Sequence, residues 1–222
     1  MCFSAGASFT AGSVIAAAGV AAATQVSKPS QRLFATIPFI FAIQQVAEGF
    51  LWLTLQNNDH LFLQQINTYI FLVVADVLWP VLIPLSILLI EENEKRRKII
   101  RIFLINGILV SLYYGVCLML FSVTPVIMNC HIHYGDPFIA GLMLPAFLLY
   151  VAATIIPLFI STVKRMYIMG IMMFAGCVVT LIFYTKNVTS VWCFFAAVIS
   201  VIIYWILSGA TVQRHSGTEA GV

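Results

Sequence analysis

Seven apolar runs, each long enough to cross a bilayer as an α-helix, follow one another through the chain with short polar gaps between them. A spanning helix needs roughly 20 mostly apolar residues. The runs fall at Ser4–Thr24, Leu33–Gln56, Leu61–Glu91, Ile99–Phe121, Pro137–Ser161, Met166–Tyr184 and Ser190–Ser208. None of the gaps can hold a soluble domain, so residues 1–222 are expected to form one domain, an all-α polytopic seven-helix bundle. Only 9% of the residues are charged and 62% are hydrophobic, whereas a soluble domain carries about 25% charged residues. Membrane lipids must therefore cover much of the surface. No basic stripe for nucleic acid is present. Met1 to Ala7 lack the basic region of a cleavable signal peptide, so the first run is expected to be retained.

Charge predicts the orientation, because Lys and Arg collect in cytoplasmic loops. Lys28, Arg32, Lys95, Arg96, Arg97, Lys98, Arg101, Lys164, Arg165 and Arg214 fall on one side of an alternating bundle, and Lys186 on the other. Ten of the eleven basic residues thus predict an amino terminus outside and a carboxyl terminus in the cytoplasm.

The third run is too long for a straight span, and Pro80 and Pro84 are expected to bend it. Pro145 and Pro157 are expected to do the same in the fifth. Such bends open gaps that hold ligands or water, or simply shape the bundle. In the first run Ser8, Gly12 and Ala16 repeat every four residues, with Gly19 near the same face. Small residues let helices approach closely, so this helix is expected to lie buried between neighbours.

Ionisable groups inside lipid are costly and mark candidate sites. Glu48 lies about 12 Å below the outer end of the second span at 1.5 Å per residue. Gln44, Gln45 and Trp52 share its face at three- and four-residue offsets. Asp76 lies near the middle of the third span, with Tyr69 and Gln65 above it and Trp79 just below. The two acids head polar stripes on consecutive antiparallel helices. Two readings stand: a cavity open to the outside in which Glu48 is a metal ligand or proton-transfer group, and a structural network in which each acid is hydrogen-bonded by Gln, Asn or Tyr.

The fourth gap carries Cys130-His131-Ile132-His133, then Tyr134 and Asp136. Two histidines one residue apart beside a thiol are ligands for zinc or copper, though a loop histidine is more often simply solvated. Cys2 and Cys193, which follows Trp192, lie on the same outer side. A metal set of Cys2, Glu48, His131 and His133, with Cys193 near, is one arrangement. A Cys130–Cys193 disulfide in an oxidising compartment is the competing one. Cys117 and Cys177 read as buried, inert thiols. The chain has no phosphate-binding glycine loop, nucleophile elbow or haem-attachment motif, and its last helix has no lysine to hold retinal.

The opening Met1-Cys2-Phe3-Ser4-Ala5, followed by Ala7-Ser8-Phe9, resembles the start of a bacterial family of small seven-helix membrane proteins whose function is unknown. Ile37-Pro38-Phe39 through Gln44-Gln45 to Glu48-Gly49 and Trp52 is similar to that family's second helix. Trp79-Pro80 with Pro84, and Ser190 to Ala196, are similar as well. The resemblance implies a multi-pass protein of the bacterial inner membrane and draws attention to Cys2, Glu48 and Trp192. It implies no activity.

Three functions compete. The first is a zinc- or copper-dependent hydrolase of a lipid or amphiphile, with Glu48 or Asp76 as base and His131 and His133 on the metal. The second is a transporter or sensor of a small solute or ion that uses Glu48 and Asp76. The third is a partner subunit without chemistry.

Overall fold

The computed structural model describes residues 4–57, 60–128, 131–134, 141–183 and 195–219. Among these residues lie seven helices and one β-hairpin. They are α1 Ala5–Thr24, α2 Arg32–Asn57, α3 Leu61–Ile90, α4 Glu94–Leu120, β1 Pro125–Met128, β2 His131–Tyr134, α5 Met143–Ile160, α6 Met166–Phe183 and α7 Phe195–Glu219. The five helices α1 to α5 are long and apolar enough to cross a membrane, and α6 and α7 contain shorter apolar stretches. The chain is a multi-pass membrane protein. Its outward faces fit lipid: Val14, Ile102, Leu109, Met119, Leu144 and Ile182 are all more than half exposed. Each helix packs on its chain neighbour, and α7 closes the ring against α1 and α2.

The bend expected in the third span takes a specific form. Helix α3 is α-helical over Leu61–Leu72, π-helical over Val73–Leu78 and α-helical again over Trp79–Ile90. Pro80 sits in the first turn of the last part, where a missing N–H costs little. The wider π turn, with its i→i+5 pattern, absorbs the offset. Carbonyls at the bend find donors on other helices. The Tyr150 hydroxyl donates to the Ala75 carbonyl at 2.7 Å, and the Ser111 hydroxyl donates to the Val77 carbonyl. Because residue 84 is proline, the Pro80 carbonyl loses its helical donor, and Gly107 of α4 packs directly on it.

Several expectations need correction. Pro145 lies in the first turn of α5, where it removes no helical hydrogen bond and makes no bend; Pro157 does lie inside the helix. Helix α4 starts at Glu94, five residues before Ile99, because the Asn93 side chain accepts from the Lys95 and Arg96 N–H groups and caps it. Part of the fourth gap is a β-hairpin: Val126 pairs with His133 and Met128 with His131. Helix α1 buries only its small-residue face, through Ser8, Ala11, Gly12, Ile15, Gly19 and Ala22. Val14 and Val20 on its other face are exposed. The close approach itself is present: a Cβ on Gly12 would lie 3.4 Å from the Ala42 carbonyl of α2. Helix α7 continues past Ser208 to Glu219, and the expected starts of the fifth and seventh spans fall outside the described residues.

Basic side chains gather at one end of the bundle. There Lys28 pairs with Glu92 at 2.6 Å, and Arg96 donates to the Ile160 carbonyl. Glu91, only 1% exposed, ties the α3–α4 turn to the α5–α6 turn. It accepts from the Thr162 N–H and hydroxyl, each at 2.6 Å, and from the Ser161 hydroxyl and Asn93 N–H, each at 3.0 Å. Burial pushes its pKa up, and these hydrogen bonds more than reverse that, leaving the carboxyl below its ordinary value. In the same turn Arg165 adopts a left-handed φ of 70°, which costs about 1–2 kcal/mol for a residue with a Cβ. Its guanidinium donates to the Trp205 carbonyl at 2.7 Å and lies 4.1 Å from that residue's ring centre, contacts that offset the strain.

The packing at the bend makes a sharp prediction. A Cβ at position 107 would run into the Pro80 carbonyl oxygen and come within 2.8 Å of its carbon, whereas one at position 115 would find nothing nearer than Val77 at 4.0 Å. Gly107→Ala is expected to destabilise the purified protein by about 3 kcal/mol, the upper range for overpacking against backbone, and Gly115→Ala to leave it nearly unchanged. Unfolding of both variants in detergent checks this, and equal stability would show that the helices do not meet here.

Candidate functional site

The polar face of α2 is turned fully inward. Gln44, Gln45, Glu48 and Trp52 are all at most 3% exposed. A polar face is buried here because neighbours meet it on both sides. On the α3 side, Trp79 donates from Nε1 to Gln44 Oε1 at 3.3 Å, and its ring lies 4.1 Å from Phe41. The polar stripes on the second and third spans therefore do face each other, joined one turn below Glu48. Stepping one turn outward along each antiparallel helix sets Glu48 level with the π turn that carries Asp76. Asp76 itself is half-buried, as is Tyr69, which packs beside Trp52, Phe71 and Leu72.

On the other side lies α1. Gly12 meets Gln45, and Gly49 meets the Phe9 ring, so closely that a Cβ at position 49 would come within 2.7 Å of it. Ser8, one turn from Gly12 and fully buried, is therefore level with residues 45–49. Gln45 Nε2 donates to Glu48 Oε2 at 3.4 Å, a long contact. At the same level of the bundle, Ser8 Oγ, Gln45 Oε1 and Trp52 Nε1 are buried and have no hydrogen-bond partner among the described residues. Each such group costs about 1–3 kcal/mol if left unpaired.

The β-hairpin covers this end of α2 and α3. Ile132 and Tyr134 pack with Leu51, Trp52 and Phe71, and the Tyr134 and Phe71 rings stack at 5.0 Å. Side chains alternate along a strand, so His131 and His133 share the hairpin's opposite face. His131 is buried and His133 half-buried. Burial lowers the His131 pKa, and the positive charge of the chain's amino group acts in the same direction. The imidazole is accordingly neutral near pH 7. Among the described residues no three His, Cys, Asp or Glu side chains converge to hold a metal ion. Cys2, Cys130, Asp136, Trp192 and Cys193 lie outside the described residues, and with them the thiol part of the metal set and the Cys130–Cys193 pairing. Cys117 and Cys177 are buried free thiols.

Two participants were not singled out from the sequence. Ser8 reads there as one more small residue in a packing stripe, and its hydroxyl becomes visible only when α1 is docked on Gln45. Trp79 reads as a neighbour of Asp76, yet its indole reaches across to Gln44. The signal available for both was their position: each lies on the helical face that the neighbouring polar stripe must meet.

Fold and site together define a helical multi-pass membrane protein with a buried polar cluster, including the Glu48 carboxylate, level with the π turn of α3. The chain belongs to the DUF6629 family of unknown function, whose sequence profile matches residues 1–217. No match to the chain is found among curated proteins or among solved structures.

The neutral imidazole gives a pH prediction. An unfolded chain takes up a proton below about pH 6.5, while the buried His131 resists it. Stability is therefore full above that pH, declines below it, and is lost as the pH passes through the lowered folded-state value. Melting temperatures of wild type and His131→Gln between about pH 7.5 and 5 are expected to converge on acidification. Parallel curves would remove His131 from the account.

Proposed function

We propose that the protein crosses a bacterial plasma membrane seven times, with its amino end outside, and binds a small cation or protonated solute at Glu48 for transport or sensing. The gathering of basic side chains at one end of the bundle supports this orientation. The reading of the site rests on one observation, the three buried polar atoms of Ser8, Gln45 and Trp52 that have no partner among the described residues and lie at the level of a fully buried carboxylate. Bundles retain such groups where a guest completes them. Gln45 Oε1 and the Glu48 carboxylate accept, Ser8 Oγ can donate or accept, and Trp52 Nε1 donates; the carboxylate's charge favours a cation or a protonated guest. The π turn bearing Asp76 lies at the same level, and π turns inside helices recur at functional sites. Proteoliposomes carrying the protein are expected to pass protons or sodium ions down an imposed gradient. Glu48→Gln is expected to cut that flux roughly tenfold or more, as for loss of a charged hydrogen-bond partner worth about 1.5–3 kcal/mol. Flux equal in wild type and variant, or absent for both ions in the wild type, would refute this role.

A metal-dependent site on the hairpin is the second reading, favoured by the placement of His131 and His133 on one strand face. Spacing of i and i+2 on a strand suits two ligands of a single zinc or copper ion, and such an ion would activate water against a lipid or amphiphile. The alternation that sends Ile132 and Tyr134 towards Trp52 turns the histidines away from Glu48's helix face. Further ligands would then come from outside the described residues, with Cys2 the first candidate. Metal analysis of protein purified without chelator is expected to give one zinc or copper per chain, lost in His131→Ala. Metal-free wild-type protein would end this reading.

A further inference from the structure

At the basic end of the bundle, far along the helices from Glu48, the α1–α2 turn, the end of α3, the α5–α6 turn and the α7 stretch Trp205–Gly209 enclose a cavity of about 1020 Å³. Lys28, Lys164 and Arg165 line it, against the single carboxylate of Glu92, which Lys28 already engages at 2.6 Å. Two positive charges are left in excess. Glu91, the other acid in this region, is turned to Thr162, Ser161 and Asn93 and does not offset them. The Lys164 ammonium is exposed and has no ion-pair partner among the described residues. Arg165 is fixed more firmly. Its backbone is held left-handed while its guanidinium rests on the Trp205 ring and reaches that residue's carbonyl. Residue 209 must be small for this, because a Cβ there would lie 2.6 Å from Arg165 Nη1. A guanidinium has five donors in a planar fork, and the Trp205 carbonyl uses one. Positioned ahead of any ligand, such a fork suits two oxygens of one tetrahedral anion.

We propose that this cavity binds a phosphate ester, with Arg165 and Lys164 as its principal contacts, and that the ester is the headgroup of an anionic phospholipid. The cavity lies where the apolar stretches of α1, α3 and α5 end, at the level where headgroups sit. Exposed Tyr167, Val201 and Tyr204 beside it offer apolar surface to acyl chains. A soluble phosphate ester carries the same recognised group, and the test separates the two sources.

The full-length protein, purified in a neutral detergent, is titrated with phosphatidylglycerol, phosphatidylcholine and glycerol 3-phosphate, and bound species are read by native mass spectrometry. Phosphatidylglycerol is expected to be retained over phosphatidylcholine, and Lys164→Gln and Arg165→Gln each to weaken it about fivefold, the worth of one interfacial charge. Lys164 is exposed, so its variant tests the site in a folded chain even if Arg165→Gln does not fold. Failure of glycerol 3-phosphate to displace the lipid supports the headgroup. Displacement that itself depends on Lys164 keeps the phosphate site and assigns it a soluble ester. Equal retention of the two lipids, or retention of phosphatidylglycerol unchanged by Lys164→Gln, overturns the proposal.

Discussion

Inside a bilayer no water can satisfy a backbone carbonyl, so a helix that gives up its own hydrogen bonds must borrow donors from its neighbours. Helix α3 gives them up at the π turn and at two prolines, and the bundle is arranged around that bend. Tyr150 of α5 and Ser111 of α4 supply hydroxyls to the Ala75 and Val77 carbonyls. Gly107 lets α4 come in against the Pro80 carbonyl. Three helices are thereby pinned to one another at mid-height, and the bend is held by specific contacts on two partners.

The same bend sets the register of the polar cluster. Trp79 begins the last part of α3, and its indole reaches Gln44. Any rotation of α3 about the π turn would move that indole, and with it the helix face on which Glu48 lies. On the opposite flank α1 and α2 approach closely at Gly12, Gly19 and Gly49. Glu48 thus lies between a bent helix and a closely packed one, and the proposed transport or sensing would require its occupancy to bias their packing.

Much of this was legible in the sequence, because lipid imposes simple rules. Run length and hydropathy located the helices, and the proline pair marked the bend. The charge asymmetry anticipated one basic end, and helical spacing identified Gln44, Gln45, Glu48 and Trp52 as one face. What was not legible depended on partners distant in the chain. The π form of the bend was not legible, because the hydroxyls that satisfy its Val77 and Ala75 carbonyls come from positions 111 and 150. The start of α4 was missed because a charged stretch reads as a loop unless Asn93 is recognised as a cap. The hairpin was missed because four-residue strands such as His131–Tyr134 carry too little pattern to stand out between long apolar runs.

Two buried glutamates in one chain allow a comparison that separates structure from candidate function. Glu91 and Glu48 are almost equally hidden, at 1% and 0% exposure. Around Glu91 the donors come from two turns, at ordinary hydrogen-bond distances, and both carboxylate oxygens are engaged. Its role is complete without any guest: it staples the α3–α4 turn to the α5–α6 turn, as expected of a buried charge retained for architecture. At the level of Glu48, by contrast, Ser8 Oγ, Gln45 Oε1 and Trp52 Nε1 are buried without a hydrogen-bond partner among the described residues. Stability alone does not account for that second arrangement, since apolar residues of similar size would pack there at lower cost. The difference between the two sites, more than the mere presence of an acid within the bundle, is the ground for proposing Glu48 and not Glu91 as the acid that binds a guest.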